Sequence, residues 1–328
     1  MSAKRSSARK RVLDFAKLRW HSRSLAERKA LVEEFGLRAQ DRYGDTFWGW
    51  VTGSVGAEAV ALARWLVARG QSIHEKDGDG RAALHRAAAC GNVTMVRWLL
   101  SLGLPPAPTD RSRGTPLDLM LERARNADLP ARARVMKLLI DSGAKVSGRT
   151  EKAARHVYSE MDYYRTEMAP RFAKQCEAAA RTICALAGVQ APKPRLLHDG
   201  KGAIEVPPGN AEKQFASLWN FLVPPAGRAR TLQGEIVRVA GRINDELMRN
   251  GGANWDRDFA KMVGAFTQYV RRHEALDGKR LEAVDATVAA INKSKGRLDD
   301  ARALCLAAIA WVRANPKPIK LGKVAYRR

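Results

Sequence analysis

Residues 80–103 read GRAALHRAAACGNVTMVRWLLSLG and set out two short apolar faces, each followed by a glycine. Leu84, Ala87 and Ala88 fall at i, i+3 and i+4, and Val96, Leu99 and Leu100 repeat the spacing. Each trio therefore shares one helix face. Gly91 and Gly103 stand where a glycine in the left-handed region closes a helix. A pair of helices this short cannot bury its apolar faces alone, so it is expected to stack on copies of itself.

Copies are present on both sides. Thirty-three residues before Trp98, Leu99, Leu100, Gly103 and Asp110 stand Trp65, Leu66, Val67, Gly70 and Asp77. Downstream, Thr115-Pro116-Leu117 supplies an N-cap and a first-turn proline, and Leu138-Leu139 with Gly143-Ala144 ends that copy. Leu117 to Val135 spans 18 residues against 12 from Leu84 to Val96, which places a six-residue insertion around Arg125 to Arg132. Tryptophan in register at Trp65 and Trp98 predicts burial of both indoles between successive copies.

Asp77, Gly80, Leu84-His85, Ala87-Ala88, Gly91, Val96, Leu99-Leu100 and Gly103 together resemble the ankyrin repeat, D-x-x-G-x-T-P-L-H-x-A-A-x-x-G followed by V-x-x-L-L-x-x-G-A. The resemblance covers about residues 45–147, in copies at about 45–77, 78–110 and 111–149. Ala82-Ala83 replaces Thr-Pro in the middle copy, Asp118 replaces the histidine in the third, and the first begins FWGWVTG. The resemblance implies a non-enzymatic module that binds a protein partner through hairpin tips and the exposed face of its inner helices. On that basis Glu75, Lys76, Asp79, Arg81, Arg86, Arg111 and Arg113 are the candidate contacts, and His85 braces its own turn by local hydrogen bonds.

Three imperfect copies are near the minimum for a stable array, so both ends need covering. Residues 1–44 read as a basic tail and capping helices: Ser24-Leu25-Ala26-Glu27 is a capping box, followed by Leu31, Val32 and Phe35 and closed near Gly36. Trp48 and Trp50 are expected to pack there. The helices of 150–188 connect to the rest, with Ala154, Val157, Met161, Met168, Phe172, Ile183 and Leu186 marking one long or Pro170-kinked segment that continues the stack.

Residues 189–210 read as a Pro/Gly linker with a small hairpin at Asp199-Gly200-Lys201-Gly202; this DGKG lacks the spacing of a phosphate-binding loop. Beyond it, 211–315 reads as a helical bundle, with stretches at about 211–222, 232–249, 255–275 and 279–314, the last broken near Gly296, and a basic tail at 316–328. The fold class expected is all-α: a short repeat stack followed by a C-terminal helical bundle.

Residues 231–256, TLQGEIVRVAGRINDELMRNGGANWD, combine an apolar face of Ile236, Val239, Ile243 and Leu247 with a ladder of alternating charge. The stretch is similar to a motif of uncharacterised bacterial helical proteins, which implies no activity. Gln233, Glu235, Arg238, Asp245, Arg249, Asn250, Asn254 and Asp256 form either a functional polar site or a structural network tying helix ends together. No nucleophile–base spacing, metal-ligand cluster or cofactor motif is present. An enzyme assembled in space within this half stays an alternative.

The 328 residues carry a formal net charge of +24, concentrated at the ends. Residues 1–44 hold twelve Lys/Arg against five Asp/Glu, and 313–328 hold six Lys/Arg with no acid. Such ends either keep the chain soluble or attract nucleic acid without sequence specificity. Four scattered cysteines fit a reducing compartment and a cytoplasmic protein. No Sec signal or apolar run of membrane-spanning length is present.

Overall fold

The structure, a computed structural model, describes residues 13–294 and 301–327. Lys4, Arg5, Arg9, Lys10 and Arg11 of the basic tail, and the break expected at Gly296, lie outside the described residues. Among those described the chain is all-α, with fourteen α-helices and β-pairing confined to isolated bridges. It divides into two compact units, Met1–Lys193 and Pro194–Arg328.

In the first unit, α1 (Leu25–Phe35) is opened by the Ser24 capping box, in which Glu27 accepts from the Ser24 amide at 2.8 Å. Helix pairs follow: α2 (Phe47–Thr52) with α3 (Ala57–Ala68), α4 (Ala83–Ala89) with α5 (Val93–Ser101), α6 (Pro116–Glu122) with α7 (Leu129–Asp141), and α8 (Gly148–Tyr164) with α9 (Pro170–Leu186). The first helices pack in the row α2–α4–α6–α8 and the second in the row α3–α5–α7–α9. One apolar core runs from Leu13 through Leu66, Leu84, Leu99, Leu117, Met136 and Met161 to Val189. The two periodic faces of residues 80–103 are thus buried on both sides by neighbouring pairs.

Local chemistry sets each boundary. Thr115 caps α6 and Pro116 takes its first turn. Asn92 caps α5 through the Met95 amide at 2.9 Å and reaches back to the Ser54 carbonyl at 2.7 Å, joining two pairs. The inserted residues form the turn before α7 and the first turn of that helix, and buried Arg132 holds the turn by donating to the carbonyls of Met120 and Arg123, the latter at 2.9 Å. Those carbonyls belong to the otherwise unpaired C-terminal end of α6. The segment from 154 to 186 is two helices rather than one kinked helix. Proline bars the helical region to the residue before it; Ala169 is extended (ψ 137°), and Pro170 starts α9.

Trp98 is buried, edge-on to buried Trp48 with ring centroids 6.4 Å apart. Trp65 departs from the expectation. It is only half-buried, roofed by the Arg69 guanidinium 3.7 Å from its ring centroid and by Lys29, because the element beside it is the short cap α1 rather than another full copy. Trp50 stacks on Phe15 at 4.4 Å within the cap.

The second unit is built around α11 (Leu232–Asn250), which packs against α10 (Ala211–Leu222), α12 (Arg257–Tyr269) and α14 (Arg302–Ala314), with α13 (Gly278–Ser294) outside α12 and α14. Gly241 lets α10 approach: a Cβ there would overlap the Trp219 ring. α12 ends at Tyr269, short of the expected 275. No hairpin forms at 199–202. Asp199 instead accepts the Lys201 and Gly202 amides, and His198 is buried against the Gly202 carbonyl at 2.7 Å.

The C-terminal residues 315–327 are not a free tail. They run as a strap along α11: Leu232 donates to the Ile319 carbonyl at 2.8 Å, Thr231 bridges Lys320, and Tyr326 is 1% exposed.

Candidate functional site

The hairpins between helix pairs are built on one device. Asp41, Asp77 and Asp110 each turn a side-chain oxygen onto two amides of their own loop: Tyr43 and Asp45, Asp79 and Arg81, Ser112 and Gly114, at 2.8–2.9 Å. Short Asx side chains do this well, which is why aspartate opens the turn. The left-handed position that follows is glycine in two hairpins, Gly44 (φ 82°) and Gly80 (φ 77°), and Arg113 (φ 58°) in the third. The tips abut one another: Arg111 donates its amide to the Asp79 carbonyl at 3.0 Å, and a Cβ on Gly78 would lie 3.3 Å from the Tyr43 carbonyl oxygen.

Below the tips the hydrogen bonds that cross between pairs change partners but not geometry. His85 is fully buried; its Nδ1 accepts from the Ala82 amide at 3.2 Å and its Nε2 faces the Gly114 carbonyl at 3.1 Å. Because a carbonyl only accepts, the proton sits on Nε2. Burial pushes the imidazole below its ordinary value, outweighing the Gly114 hydrogen bond and the aspartates nearby. In the next pair Asp118 does the same work. One oxygen accepts from the Thr115 amide and hydroxyl at 3.0 and 2.8 Å, and the other from the Thr150 hydroxyl at 2.6 Å. Burial raises this carboxyl, but the hydroxyl and amide donors hold it below the usual range. In the first pair the equivalent residue is Gly49, and the space takes the Arg86 guanidinium, whose carbon would lie 3.3 Å from a Cβ at Gly49.

The seven candidate contact residues therefore divide. Arg86 is spent on Asp45 and Asp77. Glu75 accepts the Thr46 hydroxyl at 2.6 Å and the Gln71 amide at 2.8 Å. Arg81 lies 2.6 Å from Asp79 and 3.9 Å from Asp110. Lys76, Asp79, Arg111 and Arg113 stand exposed on the tip row, and the side chains of Lys76, Arg111 and Arg113 meet no hydrogen-bond or ion-pair partner among the described residues. Sequence reasoning misses two tip residues, Arg42 and Tyr43. Tyr43 is 68% exposed with the Arg42 guanidinium 4.6 Å from its ring centroid. The signal is Asp41-x-x-Gly44 ahead of Asp77-x-x-Gly80, at a spacing of 36 rather than 33.

The eight polar residues of the second unit do not converge. Gln233, Glu235 and Arg238 are buried beneath the strap. Gln233 donates to the Asn315 and Lys317 carbonyls at 2.8 and 2.6 Å and accepts the Ile319 amide at 3.1 Å. Glu235 accepts from Arg238 (2.6 and 2.9 Å), the Tyr326 hydroxyl (2.6 Å) and the Ala229 amide (3.1 Å). Burial raises Glu235, yet these donors hold it below the usual glutamate range; burial and the Glu235 carboxylate push the Tyr326 phenol far up. Asp245 and Arg249 make an exposed pair at 3.1 Å. Asn250 and Asn254 gather on Glu246, itself 5% exposed, with the Asn254 amide at 2.6 Å, and Asp256 caps α12. This is a latch at one end of α11 and a loop clasp at the other, with the exposed pair on the same turns as the clasp. Among the described residues no group of His, Cys, Asp and Glu is placed to hold a metal, and no helix is long and apolar enough to cross a membrane.

A comparison of the chain with curated proteins finds no match. Residues 57–100, which span α3 to α5, match the family model for ankyrin repeats in many copies, so the stacked first unit carries an ankyrin-repeat segment.

Proposed function

We propose that this protein is a non-enzymatic interaction module whose repeat stack grips a protein partner along its row of hairpin tips. Ankyrin repeats indicate protein–protein interaction in general. The observation that carries the reading here is the division of labour in the loops. The aspartates are consumed in building the hairpins, while Lys76, Arg111 and Arg113 are exposed and have no partner among the described residues, and Tyr43 is held out at the first tip. Interlocked tips need little ordering on binding, which favours affinity. An exposed tyrosine among cations is the composition of a contact surface rather than of a packing one.

Photocrosslinking tests it. The full-length protein carrying a benzophenone side chain at Tyr43 is expected to crosslink a discrete partner in lysate of its source cell. The same group at Arg134, exposed on α7, is expected to give none. Equal crosslinking from both positions, or from Arg134 alone, would move the contact away from the tips.

A further inference from the structure

The second unit offers a charged surface that the repeat stack does not explain. Along the strap, residues 319–327, IKLGKVAYR, intersperse inward apolar with outward basic groups. Ile319, Leu321 and Val324 are half-buried against the core of the unit and Tyr326 is buried, while Lys320, Lys323 and Arg327 are exposed. The inward phase is Ile319 and Leu321, slips by one residue at Gly322-Lys323, and resumes with Val324 and Tyr326, so that Lys320, Lys323 and Arg327 are all left on the solvent side. The pins are the buried bonds already described: Gln233 on the strap backbone, Tyr326 on Glu235, and the Arg228 guanidinium on the Tyr326 carbonyl at 2.8 Å. Thr231 bridges Lys320, which sets Arg230 beside the strap, and Gly200 lies against Arg230, bringing Lys201 to the same edge.

Arg230, Lys317, Lys320, Lys323 and Arg327 are all exposed, and none is paired with a carboxylate among the described residues; Lys201, also exposed, sits beside Asp199. A surface of fixed, unneutralised cations costs self-repulsion that a polyanion relieves. The outward positions are Lys, Gly, Ala and Arg, with no exposed aromatic or large aliphatic anchor on the strap. A protein interface usually needs such an anchor, whereas contacts to a phosphate backbone do not. Base stacking likewise has no platform here, which points to duplex backbone rather than single strands.

We propose that the strap face binds the phosphate backbone of double-stranded nucleic acid, without sequence specificity, as a fixed surface rather than a flexible arm. The test uses the full-length protein and a fluorescein-labelled DNA duplex of about 20 base pairs, by anisotropy between about 50 and 200 mM salt. Binding should fall steeply with salt and be alike for two unrelated sequences. The variant Arg230→Glu/Lys320→Glu/Lys323→Glu should bind at least tenfold more weakly, and its slope of log K against log salt should drop by about 0.9 for each phosphate that the protein no longer neutralises. These side chains are exposed, so circular dichroism should be unchanged. If the reversal disturbs folding, the milder pair Lys323→Gln/Arg327→Gln should shift affinity and slope in the same direction. The proposal is overturned by an unchanged slope in the variants, by no binding at the lowest salt, or by polyglutamate competing as well as duplex at equal charge.

Discussion

At the scale of single residues, the stack reuses one position with different chemistry. His85 and Asp118 each tie their own helix start and then cross to the next pair, one by imidazole and the other by carboxylate. The histidine is legible from the repeat pattern. The aspartate looks like a departure, because its partners Thr115 and Thr150 lie in different copies and only packing shows that they converge. Titration separates the two. His85 has a folded value held below its ordinary one, so its stabilisation is complete above about pH 6.5 and declines as pH falls below that, while the unfolded chain takes up the proton first. Urea unfolding of the wild-type stack should therefore show lower stability at pH 5.5 than at pH 7.5, and His85→Gln should lose most of that difference. A second residue prediction concerns Arg113, whose φ of 58° costs an L-residue about 1 kcal/mol that glycine avoids. Arg113→Gly is expected to raise the midpoint of unfolding slightly, as Gly80 at the matching position implies; lowered stability would mean that the arginine side chain contributes packing of its own. For Trp98→Ala, loss of the packing against Trp48 should cost about 3 to 5 kcal/mol, and a change below about 1 kcal/mol would contradict its burial.

Helices and loops are unequally legible. Short helices with apolar residues at i, i+3 and i+4, closed by Gly91 and Gly103, can be read directly, since period and punctuation agree. The break at Pro170 reads as a kink because the apolar rhythm runs on across it, while the backbone restriction falls on the residue before. The strap reads as a charged tail for a related reason. Its four basic residues, Lys317, Lys320, Lys323 and Arg327, dominate the composition, and the apolar set Ile319, Leu321, Val324 and Tyr326, which slips phase at Gly322-Lys323, is too short to stand out beside them. The buried Glu235–Arg238 pair is visible in sequence only as two rungs of a ladder, indistinguishable from the exposed Asp245–Arg249 rung until the strap covers one and not the other. Glu235→Gln should destabilise the second unit by about 3 kcal/mol near neutral pH, because it leaves the Arg238 guanidinium without its buried carboxylate. With the folded carboxyl held below its ordinary value of about 4.5, the wild-type advantage is complete above that pH and shrinks as pH falls through the folded value. The two proteins should converge in acid, which thermal melts at pH 7 and pH 3 would measure.

Across the whole molecule, the charge has an uneven arrangement that composition alone cannot express. The net +24 includes cations turned to structural use, such as Arg86 on two aspartates and Arg132 on helix carbonyls, and cations on the tip row and on the strap that meet no carboxylate among the described residues. The latter are where function is to be sought. For the stack, the claim is that a protein partner lies across the tips, and the most direct measurement is quantitative affinity capture with full-length protein bearing Arg111→Glu and Arg113→Glu together. The account predicts that the partner crosslinked at Tyr43 is captured at least tenfold less by this double variant, about 1.4 kcal/mol or more, and is retained by an Arg134→Glu control. Undiminished capture by the tip variant, with loss in the control, would contradict it.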